Sequence, residues 1–153
     1  MNLCIDHNNV VNENLYFIKP VKNKTRKNSV FYKLFYDNHF FVINNFIVKY
    51  SIILDNQYNI INNEENSKII QMINRLENFL ISKLIIQNNL KINNKKANLI
   101  SDNIINQKDI FKKIIKQRCY LNLDLTTRKL HLKINGIWED DNEFGFSYNI
   151  LIN

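Results

Sequence analysis

Hydrophobic and polar residues alternate most strictly over residues 129–135. Leu130, Leu132 and Ile134 take one side; Lys129, His131, Lys133 and Asn135 take the other. A period of two is that of a half-buried strand, so this stretch predicts one apolar face and one wet, basic face. It forms the middle of a three-strand meander predicted over 119–152, whose first strand puts Cys119, Leu121 and Leu123 on the apolar side. The acidic run Glu139-Asp140-Asp141-Asn142-Glu143 reads as a solvated hairpin tip, and Phe144-Gly145-Phe146-Ser147-Tyr148 as the returning strand. Gly136 and Gly145, the only two glycines of the chain, both lie in this meander.

Upstream, residues 15–19 predict a short strand stopped by Pro20, and 21–29 a polar, mobile loop with Lys22, Lys24, Arg26 and Lys27. Residues 30–61 are rich in β-branched and aromatic side chains and are broken by Asp37-Asn38, Asn44-Asn45 and Asp55-Asn56. Those dipeptides favour turns, which predicts strands near 30–36, 39–43, 46–54 and 57–61. The period then changes. Ile69, Ile73, Leu76, Leu80 and Leu84 form one helical stripe over 64–87, with Asn63 as its cap and Glu64 and Glu65 in its first turn. After a polar connector over 88–98, Ile100, Ile104, Phe111 and Ile115 predict a second helix over 100–116, with Lys108, Lys112 and Lys116 outside. Strands, helices, then strands again is an α+β order. It predicts a small OB-like β-barrel, or an antiparallel sheet with one or two covering helices, in a single domain spanning 1–153.

At 153 residues the chain can bury one substantial core, and 45% hydrophobic residues exclude a disordered tail. Twenty-one basic against 14 acidic residues give a net charge of +7. An excess of Asn, Ile and Lys is what an A/T-rich genome imposes, so part of that charge reflects codon supply. The remainder favours an anionic partner. Cys4 and Cys119 lie too far apart for a metal-ligand pair, which predicts reduced thiols in an intracellular, cytoplasmic or nuclear setting. No stretch has the apolar length of a membrane span, and the N-terminal residues lack a secretory pattern.

No motif offers catalysis. His7, His39 and His131 stand outside any metal or nucleophile signature, the acidic run lacks the spacing of a calcium loop, and two glycines cannot build a phosphate loop. The expectation is a non-enzyme without cofactor or metal. Cations beside aromatics suit single-stranded nucleic acid instead, since lysines neutralise phosphates and rings stack on unpaired bases. The candidates are Lys22, Lys24, Arg26, Lys27, Lys129, His131 and Lys133 for the backbone, with Trp138 and Tyr148 for the bases. Phe31 and Phe146 are expected in the core.

The run Leu132-Lys133-Ile134-Asn135-Gly136-Ile137-Trp138, then Phe144-Gly145-Phe146-Ser147-Tyr148, resembles a closing motif in small proteins of large eukaryotic DNA viruses. Phe31-Tyr32-Lys33-Leu34-Phe35-Tyr36 and residues 40–47 are similar to their earlier strand pair. The final hairpin is also similar to the last strands of OB-fold single-stranded-DNA-binding proteins of viruses and phages. It departs from the phage proteins in ending on Ile150-Leu151-Ile152-Asn153 and not on an acidic tail. The resemblance implies a viral DNA-binding protein. A second expectation is a viral structural or assembly protein that self-associates, or docks on a partner, through the β-prone residues 149–152.

Overall fold

The structure, a computed structural model, describes residues 4–37, 40, 42–44, 46–55, 59–88, 92, 94–106 and 126–152. Among these residues, nine strands form one mixed, mostly antiparallel sheet, and two α-helices lie on one of its faces. The strands are β1 (Cys4–Asp6), β2 (Leu15–Phe17), β3 (Val21–Lys22), β4 (Val30–Asp37), β5 (Val42–Asn44), β6 (Phe46–Leu54), β7 (Lys96–Asn98), β8 (Thr126–Glu139) and β9 (Glu143–Ile152). The helices are α1 (Glu64–Asn88) and α2 (Ile100–Ile105). Of the two forms predicted, the sheet with covering helices is the one present. The sheet does not close, because the three-residue strands β1 and β7 occupy separate margins, in parallel register with β6 and β9, and do not pair with each other.

β8 is the centre. One of its edges serves two partners in succession: Thr126–Ile134 pair with β6, and Gly136–Glu139 pair with β4. β4 in turn leaves β8 after Lys33 and pairs with β5 through Phe35–Asp37. Two strands, β8 and β4, therefore exchange partners at one point. β4 crosses it without losing alternation, burying Tyr32, Leu34 and Tyr36 on one face. β8 instead breaks step, slipping its register between Ile134 and Gly136. Gly136 fits here because a Cβ would fall on the Tyr32 carbonyl oxygen and 2.8 Å from Cζ of Phe31.

The core lies between the sheet and the helices. Phe46, Val48, Tyr50, Ile52 and Leu54 of β6 and Leu130, Leu132 and Ile134 of β8 face Ile73, Leu76, Leu80 and Leu84 of α1. Each such side chain contributes roughly 1.5–3 kcal/mol by leaving water. Asn63 caps α1 as its position predicted, accepting from the Asn66 amide at 2.8 Å. Asn66 is itself buried and behaves like a strand residue: Oδ1 accepts from Ile53 N at 2.9 Å, while Nδ2 donates to the carbonyls of Ile53 and Ile61, both at 2.8 Å. Glu77, fully buried on the flank of the apolar stripe, ties α2 to α1 by accepting from the amides of Ile100 and Ser101 and from the Ser101 hydroxyl at 2.6 Å. Desolvation raises its pKa, against those three donors.

Several boundaries differ from the pattern-based ones. Of the stretch predicted at 57–61, residues 59–61 are described and contribute one isolated bridge, Leu54 with Ile60. The connector contains β7, whose Asn98 lies opposite Gly145. Pro20 sits between β2 and β3, where the register on the outer edge of β4 slips by one residue. A residue without an amide proton belongs at such an edge irregularity. α2 ends at Ile105, and the remainder of the predicted second helix, residues 107–116, lies outside the described residues. So do the first strand of the predicted meander and His39.

Gly136→Ala is expected to destabilise the protein by about 2 kcal/mol or more, since the clash is with backbone that cannot rotate away. Urea unfolding followed by circular dichroism measures the loss; an unchanged midpoint would contradict the strand junction as described.

Candidate functional site

Alternation assigns each strand residue to one of two faces, and the face away from the helices carries a distinctive set. β4 places Phe31, Lys33 and Phe35 there, β6 places Ile47, Lys49 and Ser51, and β8 places Lys129, His131, Lys133 and Trp138. Register aligns the charges. Lys49 lies opposite His131, Ile47 opposite Lys133, and Ser51 opposite Lys129, whose ammonium donates to the serine hydroxyl at 2.7 Å. Lys33 Nζ lies 5.4 Å from the Phe35 ring, and Phe35 stacks on Tyr16 at 5.7 Å. Lys49 and Lys133 form no ion pair among the described residues. Among the described residues, acids reach this face only at its margins, as Asp6 opposite Lys49, Asp37 at the end of β4, and Glu143 in the β8–β9 hairpin. Desolvation and the charge of Lys49 lower the pKa of His131, so its imidazole is neutral at pH 7.

Trp138 closes one end of the face, roughly 30 Å along β8 from Lys129. It lies across Gly145, where a Cβ would come 2.8 Å from its Cζ2. Its other side is covered by Arg26, whose guanidinium carbon stands 3.8 Å from the ring centroid. Arg26 is fixed from behind, with Nε 2.9 Å from Asp140 and Nη2 2.9 Å from Glu143. Burial acts to lower the arginine pKa, and the hydrogen bonds to the two carboxylates outweigh it. The hairpin amides of Asn142 and Glu143, with Arg26 added, hold Asp140 below the usual carboxylate range.

The acidic run is therefore no solvated tip. Asp140 and Glu143 receive Arg26. Glu139 receives Lys95 at 2.5 Å, while the ammonium of Lys95 also donates to the Asp140 carbonyl at 2.6 Å. Tyr32 donates to Glu139 at 3.2 Å, and burial, with that carboxylate's charge beside it, pushes the phenol up to about 12. The 21–29 segment has a defined turn shape. Asn23 Oδ1 accepts from the amides of Thr25 and Arg26 and from the Thr25 hydroxyl, Asn28 adopts a positive φ of 56°, and the Asn23 amide donates to Ser29 O at 2.9 Å.

The structure brings together most of the residues singled out from the pattern. Lys129, His131, Lys133 and Trp138 share the open face, and the turn that carries Arg26 docks beside them. Lys22, Lys24 and Lys27 are exposed at that rim with no ion-pair partner among the described residues. Arg26 has its charge committed to Asp140 and Glu143. Tyr148 is elsewhere: it faces the helices, accepts from Asn103 Nδ2 at 3.0 Å, and has its pKa raised by burial. Its ring is on the wrong side of the sheet to meet a base bound over Lys133. Phe146 is buried as expected, but Phe31 lies on the open face over Gly136. Lys33, Lys49 and Phe35 complete the surface with Tyr16, and the first three were missed. Their own strands signalled them, since each alternates with buried residues, but only the pairing register shows that they converge.

No group of three or more His, Cys, Asp or Glu side chains among the described residues is placed to hold a metal ion. No helix among them is long and apolar enough to cross a membrane. Comparison with family models, curated proteins and solved structures finds no match.

Arg26→Ala is expected to uncover Trp138, shifting its emission to the red and increasing acrylamide quenching, at a cost of about 1 kcal/mol in stability. Unchanged quenching would mean that the guanidinium does not shield the ring.

Proposed function

We propose that the protein binds single-stranded nucleic acid, without catalysis, on the open face of the sheet. The observation that carries this reading is the cluster of Lys33, Lys49, Lys129 and Lys133, interleaved in register and flanked by Tyr16, Phe31 and Phe35, with acids only at the margins. Cations spaced over a pleated surface follow a phosphate backbone, while rings standing beside them stack on bases. A duplex is less suited, because a broad sheet does not enter a groove as a helix or a two-stranded ribbon does. Lys22, Lys24 and Lys27 extend the positive rim beyond Trp138. Trp138 itself takes a base only once Arg26 leaves its ring.

Self-association is the second reading, and one feature favours it. Past Gly145, no described strand pairs with the outer edge of β9, and Leu151 is 55% exposed there. The same residues are not a detachable tail, since Ile150 is in the core and residues 148–152 pair with β8. Deleting 149–153 would strip Leu130–Lys133 of their partners on that edge of β8 and take Ile150 from the core, destabilising the sheet.

Fluorescence anisotropy of a labelled single-stranded oligonucleotide, set against its duplex across a salt series, tests the nucleic-acid reading. Single strands are expected to bind more tightly, and Lys49→Glu with Lys133→Glu should reduce the slope of log K against log salt by about 0.7 per lost phosphate contact. Affinity independent of salt, or indifferent to the two substitutions, would refute it. A pH series adds a signed check. His131 is neutral in the free protein and an adjacent phosphate favours its charged form, so affinity should rise as pH falls below about 6.5 and lose that rise in His131→Gln.

A further inference from the structure

Away from the open face, the segment between β1 and β2 folds against α1 and leaves a cleft of about 210 Å³ bounded by His7, Asn8, Asn12, Tyr50, Met72 and Arg75. His7 is held firmly within it. Its ring stacks on Tyr50 at 5.3 Å, and its Nδ1 lies 3.2 Å from the carbonyl oxygen of Lys49. A carbonyl only accepts, so Nδ1 donates to it, which leaves Nε2 for a ligand in the cleft. Asp6 Oδ1 lies 3.4 Å from the same Nδ1. Nε2 has no hydrogen-bond partner among the described residues, and neither has the guanidinium of Arg75. Asp6 sits on the Nδ1 side, and no carboxylate lines the cleft.

A ligand matched to these groups brings negative charge for Arg75, an oxygen for Nε2, and an apolar part to lie on Tyr50, Met72 and Leu76. A phosphate monoester has all three. At neutral pH it carries about 1.5 to 2 negative charges over its terminal oxygens. A carboxylate carries one charge on two oxygens. We propose that the cleft binds a small organic phosphate monoester, with Arg75 and His7 Nε2 on the phosphate oxygens.

Heteronuclear NMR titration of the whole chain with phenyl phosphate, inorganic phosphate and benzoate tests this. Phenyl phosphate should give saturable shifts confined to His7, Asn8, Asn12 and the neighbouring turn of α1, with inorganic phosphate and benzoate each about tenfold weaker. Arg75→Ala, a change on an exposed helix position, should weaken phenyl phosphate by at least about tenfold. His7→Phe keeps a ring to stack on Tyr50 but removes Nε2, and should erase the preference for phosphate over benzoate. Signals from β8 and β9 that remain in place show that each variant is folded. Shifts that never saturate, or that spread equally to Lys49 and Lys133, would overturn the proposal, as would full affinity in Arg75→Ala or benzoate binding as tightly as phenyl phosphate.

Discussion

Everything in this sheet depends on β8 pairing with two different strands along one edge. Fourteen residues of one strand meet β6 over their first two thirds and β4 over the rest, and hydrogen bonding through the exchange needs a local slip of the backbone. The slip falls at Asn135 and Gly136, where β4 approaches too closely to tolerate a side chain. Because β4 continues unbroken past that point, its second half can hold β2 and β5 while its first half stays on β8. The junction thereby widens the sheet without closing it. It also keeps Lys33, Lys49 and Lys133 on the same side, although their strands meet at a discontinuity.

Charge is divided between two roles by the same geometry. The hairpin carboxylates take up Arg26 and Lys95, cations from two segments distant in sequence, and so fasten the β3–β4 turn and the approach to β7 onto the end of β8. Among the described residues, Lys49 and Lys133 of the open face form no ion pair. Partly sheltered pairs of this kind fix geometry more than they add stability, since desolvation offsets much of the attraction. Their effect is to position Trp138 beneath a cation and to leave the remaining positive charge on the platform.

Much of this was legible from residue order. The alternation over 129–135, the stripe from Ile69 to Leu84 and the Asn63 cap are local signals, and the elements they predict are present. Non-local facts were not legible. An acidic run in a hairpin looks solvated until its partners are located, and Arg26 and Lys95 are 114 and 44 residues away from theirs. Tyr148 alternates with the buried Phe146 and Ile150 and so faces the helices, and it is Trp138 that the slip at Gly136 turns to the open face. Glu77 reads as a polar residue at the flank of an apolar stripe, and only the arrival of α2 explains its burial. Three-residue strands such as β1 and β7 are too short to leave a periodic trace, and parallel pairing gives them no turn by which to be recognised.

One consequence concerns aggregation. β6 is covered by β1 only as far as Lys49, so its distal half would present bare amide and carbonyl groups, the template on which a foreign strand grows. Asn66 occupies that template. Its carboxamide takes both the N–H and the C=O of Ile53, imitating a neighbouring strand with a single side chain from the start of a helix. The first turn of α1 thus acts as a plug on the sheet edge, and replacing that carboxamide would leave the N–H of Ile53 open to a foreign strand.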